Sequence, residues 1–253
     1  MSRYLLTIKY DGTEFCGWQV QPNVISVQTT VQNALIDLFG KSDINVTGCS
    51  RTDSGVHANM FCLHFDVDTA ISCDKIPFAL NVRLPDTIRA YNCIIVPDDF
   101  HARYSCCGKT YVYKIHNSAI LDPFKYKYYL NVDRFIDVDL LNAACKYFIG
   151  THDFAAFCSA GSSVSDTVRT VKSCFTERIG EDVFFSITAD GFLYNMVRII
   201  VGTLLDVNFG KISVDSIPDI ILSRRRDLAG PTARPHGLYL DKVFYDAEKY
   251  LSK

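Results

Sequence analysis

The chain has 253 residues, of which 48% are hydrophobic and 21% are charged, and its net charge is −2. This composition is ordinary for a globular protein and excludes collagen-like, low-complexity and largely disordered chains. The length allows one large domain or two small ones. The small negative charge argues mildly against a nucleic-acid partner, although affinity for phosphate depends on local patches rather than on the total charge.

Membrane segments and bound metals are not expected. The first residues do not contain the long apolar core of a signal peptide, and the most apolar stretch, residues 192–205, is too short to span a bilayer. The ten cysteines show no C-x-x-C spacing, so we expect reduced thiols rather than disulfides or a zinc site. We therefore expect a cytoplasmic protein.

The first part of the chain is predicted to contain several strands and one long helix. Residues 4–10 alternate between apolar and polar side chains, as in a strand. Ser26 is expected to cap a helix whose apolar residues recur at helical spacing, and Gly40 to end it. Further strands are predicted over residues 44–50, 61–66 and 87–97.

The remaining part of the chain is also predicted to contain both strands and helices. Its predicted elements are a strand over residues 110–116, helices over 139–149, 192–205 and 213–225, and strands over 183–188 and 238–245. Single helices and sequential strands predict an α+β fold with a mostly antiparallel sheet. The first helix and the one near residue 149 end in similar tripeptides, Leu38-Phe39-Gly40 and Phe148-Ile149-Gly150. This similarity suggests two related halves, residues 1–105 and 106–253.

Residues 51–58, Arg-Thr-Asp-Ser-Gly-Val-His-Ala, form a polar loop between two predicted strands. The simplest interpretation of Asp53 alone is an ordinary turn residue that accepts hydrogen bonds from neighbouring amides. Glycine at position 55 relaxes the backbone, and loops of this kind also carry catalytic side chains.

Arg198 lies among apolar residues of the predicted helix over 192–205. An unpaired guanidinium in such surroundings costs several kcal/mol, so it requires an anionic partner or a path to solvent. If the partner is Asp53, the pair keeps a carboxylate ionised and fixed in orientation.

Basic and aromatic residues are interleaved in two neighbouring segments, residues 100–104 and 109–113. This composition is typical of surfaces that stack an extruded base and bind phosphate. Arg103 and Lys109 are the candidate RNA contacts here. The alternative interpretation is that the tyrosines of the second segment only pack in the core of a strand.

These segments belong to an ordered set of motifs that resembles the TruA family of tRNA pseudouridine synthases almost from end to end. The matching motifs are Tyr10-Asp11-Gly12, Gly17-Trp18-Gln19, Gln21-Pro22, Ser26-Val27-Gln28, Arg51 through Ala58, Asn81 through Pro85, Phe100-His101-Ala102-Arg103, Gly150 through Phe154, Asn195-Met196-Val197-Arg198, Ala229 through Ala233 and His236 through Leu240. The chain departs from the family pattern at Ser50 and Ser54, where the family usually has glycine and alanine. Both replacements are small, so we expect the loop to keep its shape.

The resemblance implies roles for individual residues. Asp53 would be the essential carboxylate, Arg198 its ion-pair partner and Tyr111 the aromatic residue that stacks on the target uracil. Arg51 would contact the RNA where the base has been extruded. The implied fold is two similar ferredoxin-like or RRM-like α+β halves around a central catalytic cleft, in a homodimer. The implied substrate is uridine in the anticodon stem-loop of tRNA, at positions 38–40.

Pseudouridine formation breaks the N1–C1′ bond, turns the base and rejoins it through C5. The reaction is redox-neutral, so no cofactor is expected. Asp53 could attack C1′ as a nucleophile or remove a proton from C2′, and the sequence leaves both routes open. In either route the base must first leave the helical stack.

Three other classes are less consistent with the sequence. Gly108-Lys109-Thr110 resembles the end of a phosphate-binding loop, but the required earlier glycine is replaced by Arg103. The segment from Gly48 to Thr52 lacks the second glycine of a serine hydrolase elbow. A non-catalytic RNA-binding module would keep the basic and aromatic strand but would not need a carboxylate paired with a buried arginine.

Overall fold

The computed structural model describes residues 1–161 and 164–250. Over these residues the chain forms ten strands, six α-helices and several short 3-10 turns. The strands are β1 (Ser2–Tyr10), β2 (Thr47–Gly48), β3 (His57–Val67), β4 (Ile88–Val96), β5 (Cys106–His116), β6 (Leu130–Asn131), β7 (Gly150–Asp153), β8 (Val168–Ile179), β9 (Asp182–Ala189) and β10 (Leu238–Tyr245). The helices are α1 (Val27–Phe39), α2 (Ile76–Asn81), α3 (Val138–Cys145), α4 (Met196–Asn208), α5 (Ile217–Ser223) and α6 (Ala247–Tyr250).

The chain divides into two compact units. The first contains residues 1–108 together with the segment from residue 239 onward, and the second contains residues 109–238. The predicted second half, residues 106–253, included the last strand, whereas the structure places this strand in the first unit. The reason is that β10 pairs in parallel with β3 of the first unit, a long-range pairing that local sequence patterns do not contain.

The sheet of the first unit has the order β4-β1-β3-β10, and β2 pairs with β3. Strand β1 is antiparallel to both of its neighbours. In the predicted region 44–50, only Thr47–Gly48 forms a strand. The predicted caps of α1 are confirmed: Ser26 Oγ accepts a hydrogen bond from the Thr29 N–H at 3.2 Å, and Gly40 ends the helix in the left-handed region at φ 63°.

The sheet of the second unit has the order β5-β9-β8-β7, with every pair in that order antiparallel, and β6 is parallel to β5. The twelve-residue strand β8 was not predicted. Its register shifts between Val171 and Ser173, which interrupts the alternation of side chains. Its inner face also includes Cys174 and Thr176, so the apolar pattern is weak. The predicted α+β class with mostly antiparallel pairing is confirmed in each unit.

Helix α4 begins later than the sequence predicted. Asn195 immediately before it lies in the left-handed region at φ 61°, so the helix runs from Met196 rather than from residue 192. It is buried on most sides, with Ile199 and Ile200 fully inaccessible. The predicted helix over 213–225 is a 3-10 turn followed by α5, and Arg224 ends it at φ 57°.

The ten cysteines are all free thiols. Across the part of the chain that the structure describes, acidic, histidine and cysteine side chains form no group suited to a metal ion. In the same residues, every helix is too short or too polar to cross a membrane.

Candidate active site

The polar loop that the sequence singles out connects β2 to β3 in the first unit. Asp53 is half-buried, whereas Arg51 is exposed. The Val56 N–H donates a hydrogen bond to the Asp53 carbonyl at 3.1 Å, which closes a tight turn around Gly55. The loop therefore presents an exposed cation and a partly buried carboxylate two residues apart.

A second loop, between β1 and α1, braces this turn through the backbone. The Trp18 N–H donates to the Thr52 carbonyl at 3.1 Å, and the Gly55 N–H donates to the Phe15 carbonyl at 3.3 Å. The Ser54 hydroxyl donates to the same carbonyl at 3.3 Å. The residues on both sides of Asp53 are thus tied to one neighbouring segment.

Two glycines allow these loops to approach. A Cβ at Gly12 would lie 1.9 Å from the Val56 carbonyl oxygen, and a Cβ at Gly17 would lie 2.4 Å from the Thr52 carbonyl oxygen. Gly17 also has a φ of +81°, where side chains are unfavourable. Any other residue at either position would push the braced loop away.

Side chains complete the support. The Tyr10 hydroxyl and Thr52 Oγ1 share a hydrogen bond of 2.8 Å. The Trp18 ring stacks on Phe61 of β3 with centroids 4.0 Å apart, and only 3% of Trp18 is exposed. Gly48 faces this indole, since a Cβ there would lie 2.6 Å from it. The packed rings of Trp18 and Phe61 thus support the loop.

His57 secures the other end of the loop. Its Nδ1 accepts a hydrogen bond from the Gly12 N–H at 3.0 Å, and the Asp11 carboxylate lies 3.1 Å from the same nitrogen. The imidazole stacks on Tyr239 of β10 at 4.6 Å. The motifs around Gly12, Trp18 and His57 therefore hold the Asp53 loop, a role that the sequence did not indicate because it depends on contacts between distant segments.

Strand β5 of the second unit places Tyr111 and Tyr113 on one face. Tyr113 is fully buried, its hydroxyl donates to the Arg234 carbonyl at 2.7 Å, and burial raises its pKa. Tyr111 retains 6% exposure, and its ring meets Phe192 edge to face at 5.0 Å. Lys109, one of the candidate RNA contacts, is only 9% exposed.

Arg198 of α4 is half-buried and oriented within the second unit. Its Nε donates to the Ala233 carbonyl at 2.7 Å, and its Nη1 donates to Asn195 Oδ1 at 2.8 Å. The Ala233 N–H donates in turn to the Arg198 carbonyl at 3.0 Å. Asn195 begins the motif that ends at Arg198, and Ala233 ends the motif that begins at Ala229. Both motifs therefore help to orient the Arg198 guanidinium.

The segment that carries Ala233 is itself fixed to α4. A Cβ at Gly202 would lie 1.7 Å from the Pro231 carbonyl oxygen. The Gly230 N–H donates to Thr203 Oγ1 at 2.9 Å, and Arg226 Nη1 donates to the Gly230 carbonyl at 2.9 Å. This close packing explains the small residues on both segments.

Of the predicted site residues, Asp53, Arg51 and Arg103 lie in the first unit, and Tyr111, Lys109 and Arg198 lie in the second. Arg103 is exposed, with its guanidinium carbon 5.9 Å from the centre of the Tyr104 ring. Within each unit the residues are held by the motif segments that surround them.

An α+β scaffold with a braced aspartate loop is consistent with the class of RNA-modifying isomerases that the motifs resemble. Residues 6–105 and 144–246 match the family model described as tRNA pseudouridine synthase. The chain belongs to this family of isomerases.

Curated relatives support the same assignment. The chain is 46% identical over 245 residues to tRNA pseudouridine synthase A of Acetivibrio thermocellus, which covers 97% of this chain and 100% of that protein. It is 44% identical over 238 residues to the protein of the same name from Halalkalibacterium halodurans, covering 94% and 90%. The identity to tRNA pseudouridine synthase A of Clostridium acetobutylicum is 45% over 248 residues, covering 97% and 100%.

Proposed function

We propose that this chain converts uridine to pseudouridine in the anticodon stem-loop of tRNA, at positions 38–40, with Asp53 as the essential carboxylate. The observation that carries the proposal is the fixed backbone around Asp53. Hydrogen bonds at Thr52, Asp53 and Gly55 hold the loop on both sides of the carboxylate. Such fixing suits a group that must meet one ribose carbon in a defined orientation.

In the proposed reaction the N1–C1′ bond breaks, the uracil turns, and a C5–C1′ bond forms. The proton at C5 is then lost, and N1 gains one, so the product is an isomer of the substrate. Asp53 acts either as the nucleophile at C1′ or as the base at C2′. Both routes require an ionised carboxylate that stays in place while the base turns.

Arg198 and Tyr111 complete the proposed catalytic set. A guanidinium favours the ionised form of a carboxylate partner, and Arg198 is suited to this role because Ala233 and Asn195 fix its direction. Tyr111 is proposed to stack on the extruded uracil. Of the two tyrosines on its face of β5, it is the one that keeps some exposure.

The proposed RNA contacts are Arg51, Arg103 and Lys109. The two arginines are exposed, so their guanidinium groups are available for phosphate oxygens. Lys109 is largely buried, so it would contact the RNA near the reacting nucleotide rather than along an open surface. As the family resemblance implies, we propose that the enzyme is a cytoplasmic homodimer, and analytical ultracentrifugation would measure the mass of the assembly.

The decisive experiment is to incubate the purified protein with unmodified tRNA transcripts and map pseudouridine at each position. Pseudouridine at positions 38–40 supports the proposal. Modification confined to another region would contradict the anticodon assignment, and binding without any modification would favour a non-catalytic RNA-binding module. Mapping tRNA from cells with and without the protein gives the same comparison in vivo.

A further inference from the structure

The turn that follows β4 displays an exposed aromatic ring beside a cation. Tyr104 is 77% exposed, and its ring lies against the imidazole of His101 with centroids 4.3 Å apart. The guanidinium carbon of Arg103 is 5.9 Å from the centre of the same ring. A single exposed aromatic residue is unremarkable, but here three planar groups are gathered on one turn.

Local hydrogen bonds make this turn rigid. The backbone N–H groups of Arg103 and Tyr104 both donate to His101 Nδ1 at 3.2 Å. The His101 N–H donates to Ser105 Oγ at 3.0 Å, and the Ser105 N–H donates to the His101 carbonyl at 2.8 Å. The imidazole of His101 therefore acts both as a cap for the turn and as the support for the Tyr104 ring.

The interior of the first unit anchors the same turn. Buried His64 accepts a hydrogen bond at Nδ1 from the Ala102 N–H at 3.1 Å, and the Tyr245 hydroxyl donates to the Ala102 carbonyl at 2.7 Å. Arg3 Nη1 donates to the Phe100 carbonyl at 2.9 Å. His64, Tyr245 and Arg3 thus fix Phe100 and Ala102, the two residues on either side of His101.

This arrangement is suited to single-stranded nucleic acid. Such sites combine aromatic rings, on which bases stack, with cations that contact the phosphates. A ring that is already fixed loses little conformational entropy when a base stacks on it. A rigid tyrosine ring that is exposed to solvent contributes little to packing of the core. The fixed position of Tyr104 therefore favours a role in binding a ligand.

We propose that Tyr104, supported by His101, is a stacking site for an unpaired base of the tRNA substrate, with Arg103 contacting the adjoining phosphate. The proposed site uses residues other than Asp53 and Tyr111, which are proposed for the chemical step and for the uracil contact. It rests on the proposed function, since the ligand is the tRNA on which the enzyme acts. Its contribution is to binding and not to the chemical step.

The test compares Tyr104→Ala, Tyr104→Phe and the parent in tRNA binding and in steady-state kinetics. We expect Tyr104→Ala to raise the Kd for tRNA and the KM about 5- to 150-fold, because this is the range that corresponds to the loss of stacking on one base. The kcat should change little, and Tyr104→Phe should behave like the parent because it keeps the ring. The matched control is Tyr91→Ala, which removes another exposed tyrosine that lies beside a lysine.

Arg103→Gln separates stacking from charge. Removing one phosphate contact should reduce the slope of log Kd against log salt concentration by about one, whereas Tyr104→Ala should shift the affinity at every salt concentration without changing the slope. Unchanged thermal unfolding of both variants shows that the turn has stayed intact.

Three outcomes would overturn the inference: an unchanged Kd and KM in Tyr104→Ala, an equal loss in Tyr91→Ala, or an altered oligomeric mass with normal tRNA affinity. The last outcome would assign Tyr104 to a protein contact. Pseudouridine formation by the parent enzyme is measured in the same assay, so the proposed function can stand even when the stacking site fails.

Discussion

At the scale of single residues, the proposed catalytic group is Asp53 in its braced loop. The backbone hydrogen bonds that hold this loop do not involve the Asp53 carboxylate, so they remain when only that side chain is changed. Substitutions of the side chain can therefore test the chemistry without dismantling the support. The same holds for Arg198, whose contacts to Ala233 and Asn195 are independent of the identity of residue 53.

Asp53→Asn should abolish isomerisation while leaving tRNA binding within a fewfold of the parent. Asparagine keeps the shape of the side chain but can act neither as nucleophile nor as base. Single-turnover assays and filter binding measure the two quantities separately. Asp43→Asn, at an exposed position, is the matched control and should retain activity. Turnover of Asp53→Asn within tenfold of the parent would refute its assignment.

The proposed coupling of Asp53 and Arg198 can be measured with a thermodynamic cycle. Arg198→Met removes hydrogen bonds to two neutral acceptors and, if Asp53 is the partner, leaves that carboxylate unpaired, which should lower the free energy of unfolding by about 3–5 kcal/mol. If the residues are partners, Asp53→Asn should recover part of this loss in the double mutant, with no recovery of activity.

Arg178→Met is the matched control for this cycle, because Arg178 Nη2 donates to Asn117 and to the Ile136 carbonyl, both at 2.8 Å. Its effect should add to that of Asp53→Asn. Additive losses for Arg198→Met as well, by urea denaturation, would show that Asp53 and Arg198 are not coupled.

The two tyrosines of β5 should respond differently to substitution. Tyr111→Phe should keep kcat/KM because the stacking face is unchanged, whereas Tyr111→Leu should lower it by about 1–3 kcal/mol of transition-state stabilisation. Tyr113→Phe loses its hydrogen bond to the Arg234 carbonyl and should instead lower the stability by about 1 kcal/mol. An unchanged kcat/KM in a folded Tyr111→Leu protein would leave Tyr111 as a packing residue only.

At the scale of elements, the loop between β1 and α1 is as important as the loop that it supports. Gly12 and Gly17 bring two backbones into contact, and Trp18 joins the same loop to β3 through Phe61. On the second unit, the contact of Gly202 with Pro231 fixes the segment that orients Arg198. In both units, small residues allow a supporting segment to approach one that carries a proposed site residue.

Gly17→Ala should inactivate the enzyme more than it destabilises the fold. The positive φ costs about 1 kcal/mol, but the new Cβ would also meet the Thr52 carbonyl oxygen at 2.4 Å and displace the Asp53 loop. A displacement of about 1 Å can lower the rate by about 100-fold.

The control is Gly40→Ala, at a φ of +63° with open space around the Cβ. It should lose only the stability that the positive φ costs, about 1 kcal/mol, and keep its activity. Thermal unfolding and kcat measure the two effects, and equal activities in the two variants would contradict the bracing role of Gly17.

At the scale of the whole molecule, the stability should depend on pH through buried histidine. Burial lowers the pKa of His64 from 6.5 to about 4, with Arg3 and His101 acting in the same direction and Asp66 opposing them. Between these two pKa values the unfolded chain binds a proton that the folded chain does not. The free energy of unfolding should therefore keep its full His64 contribution above about pH 6.5 and decrease as the pH falls towards 4.

After allowance for solvent screening, the expected loss from His64 is about 1–3 kcal/mol. Urea denaturation between pH 4.5 and 7.5 measures it. His64→Gln should reduce this pH dependence. A hydrogen bond from Arg3 lowers the pKa of Asp66. Burial acts to raise the pKa of Asp182, but hydrogen bonds from Lys125 and His116 lower it overall. Both carboxylates contribute to the pH dependence at lower pH. An unchanged slope in His64→Gln would contradict this account.

The sequence by itself determined the features that depend on neighbouring residues. The alternation of β1, the Ser26 and Gly40 caps of α1 and the last strand, β10, follow from local patterns, because side-chain period and capping act within a few residues. The ordered motifs also identified the family, which the family model and the relatives confirm.

Only the tertiary structure decided which segments support one another. The parallel pairing of β10 with β3 and the bracing of the Asp53 loop by Trp18 join residues that are far apart in the chain. The contact between the Tyr104 and His101 rings likewise depends on a turn that is anchored by His64. Such contacts depend on the tertiary fold of the chain, and local patterns of side chains do not specify which distant segments will meet.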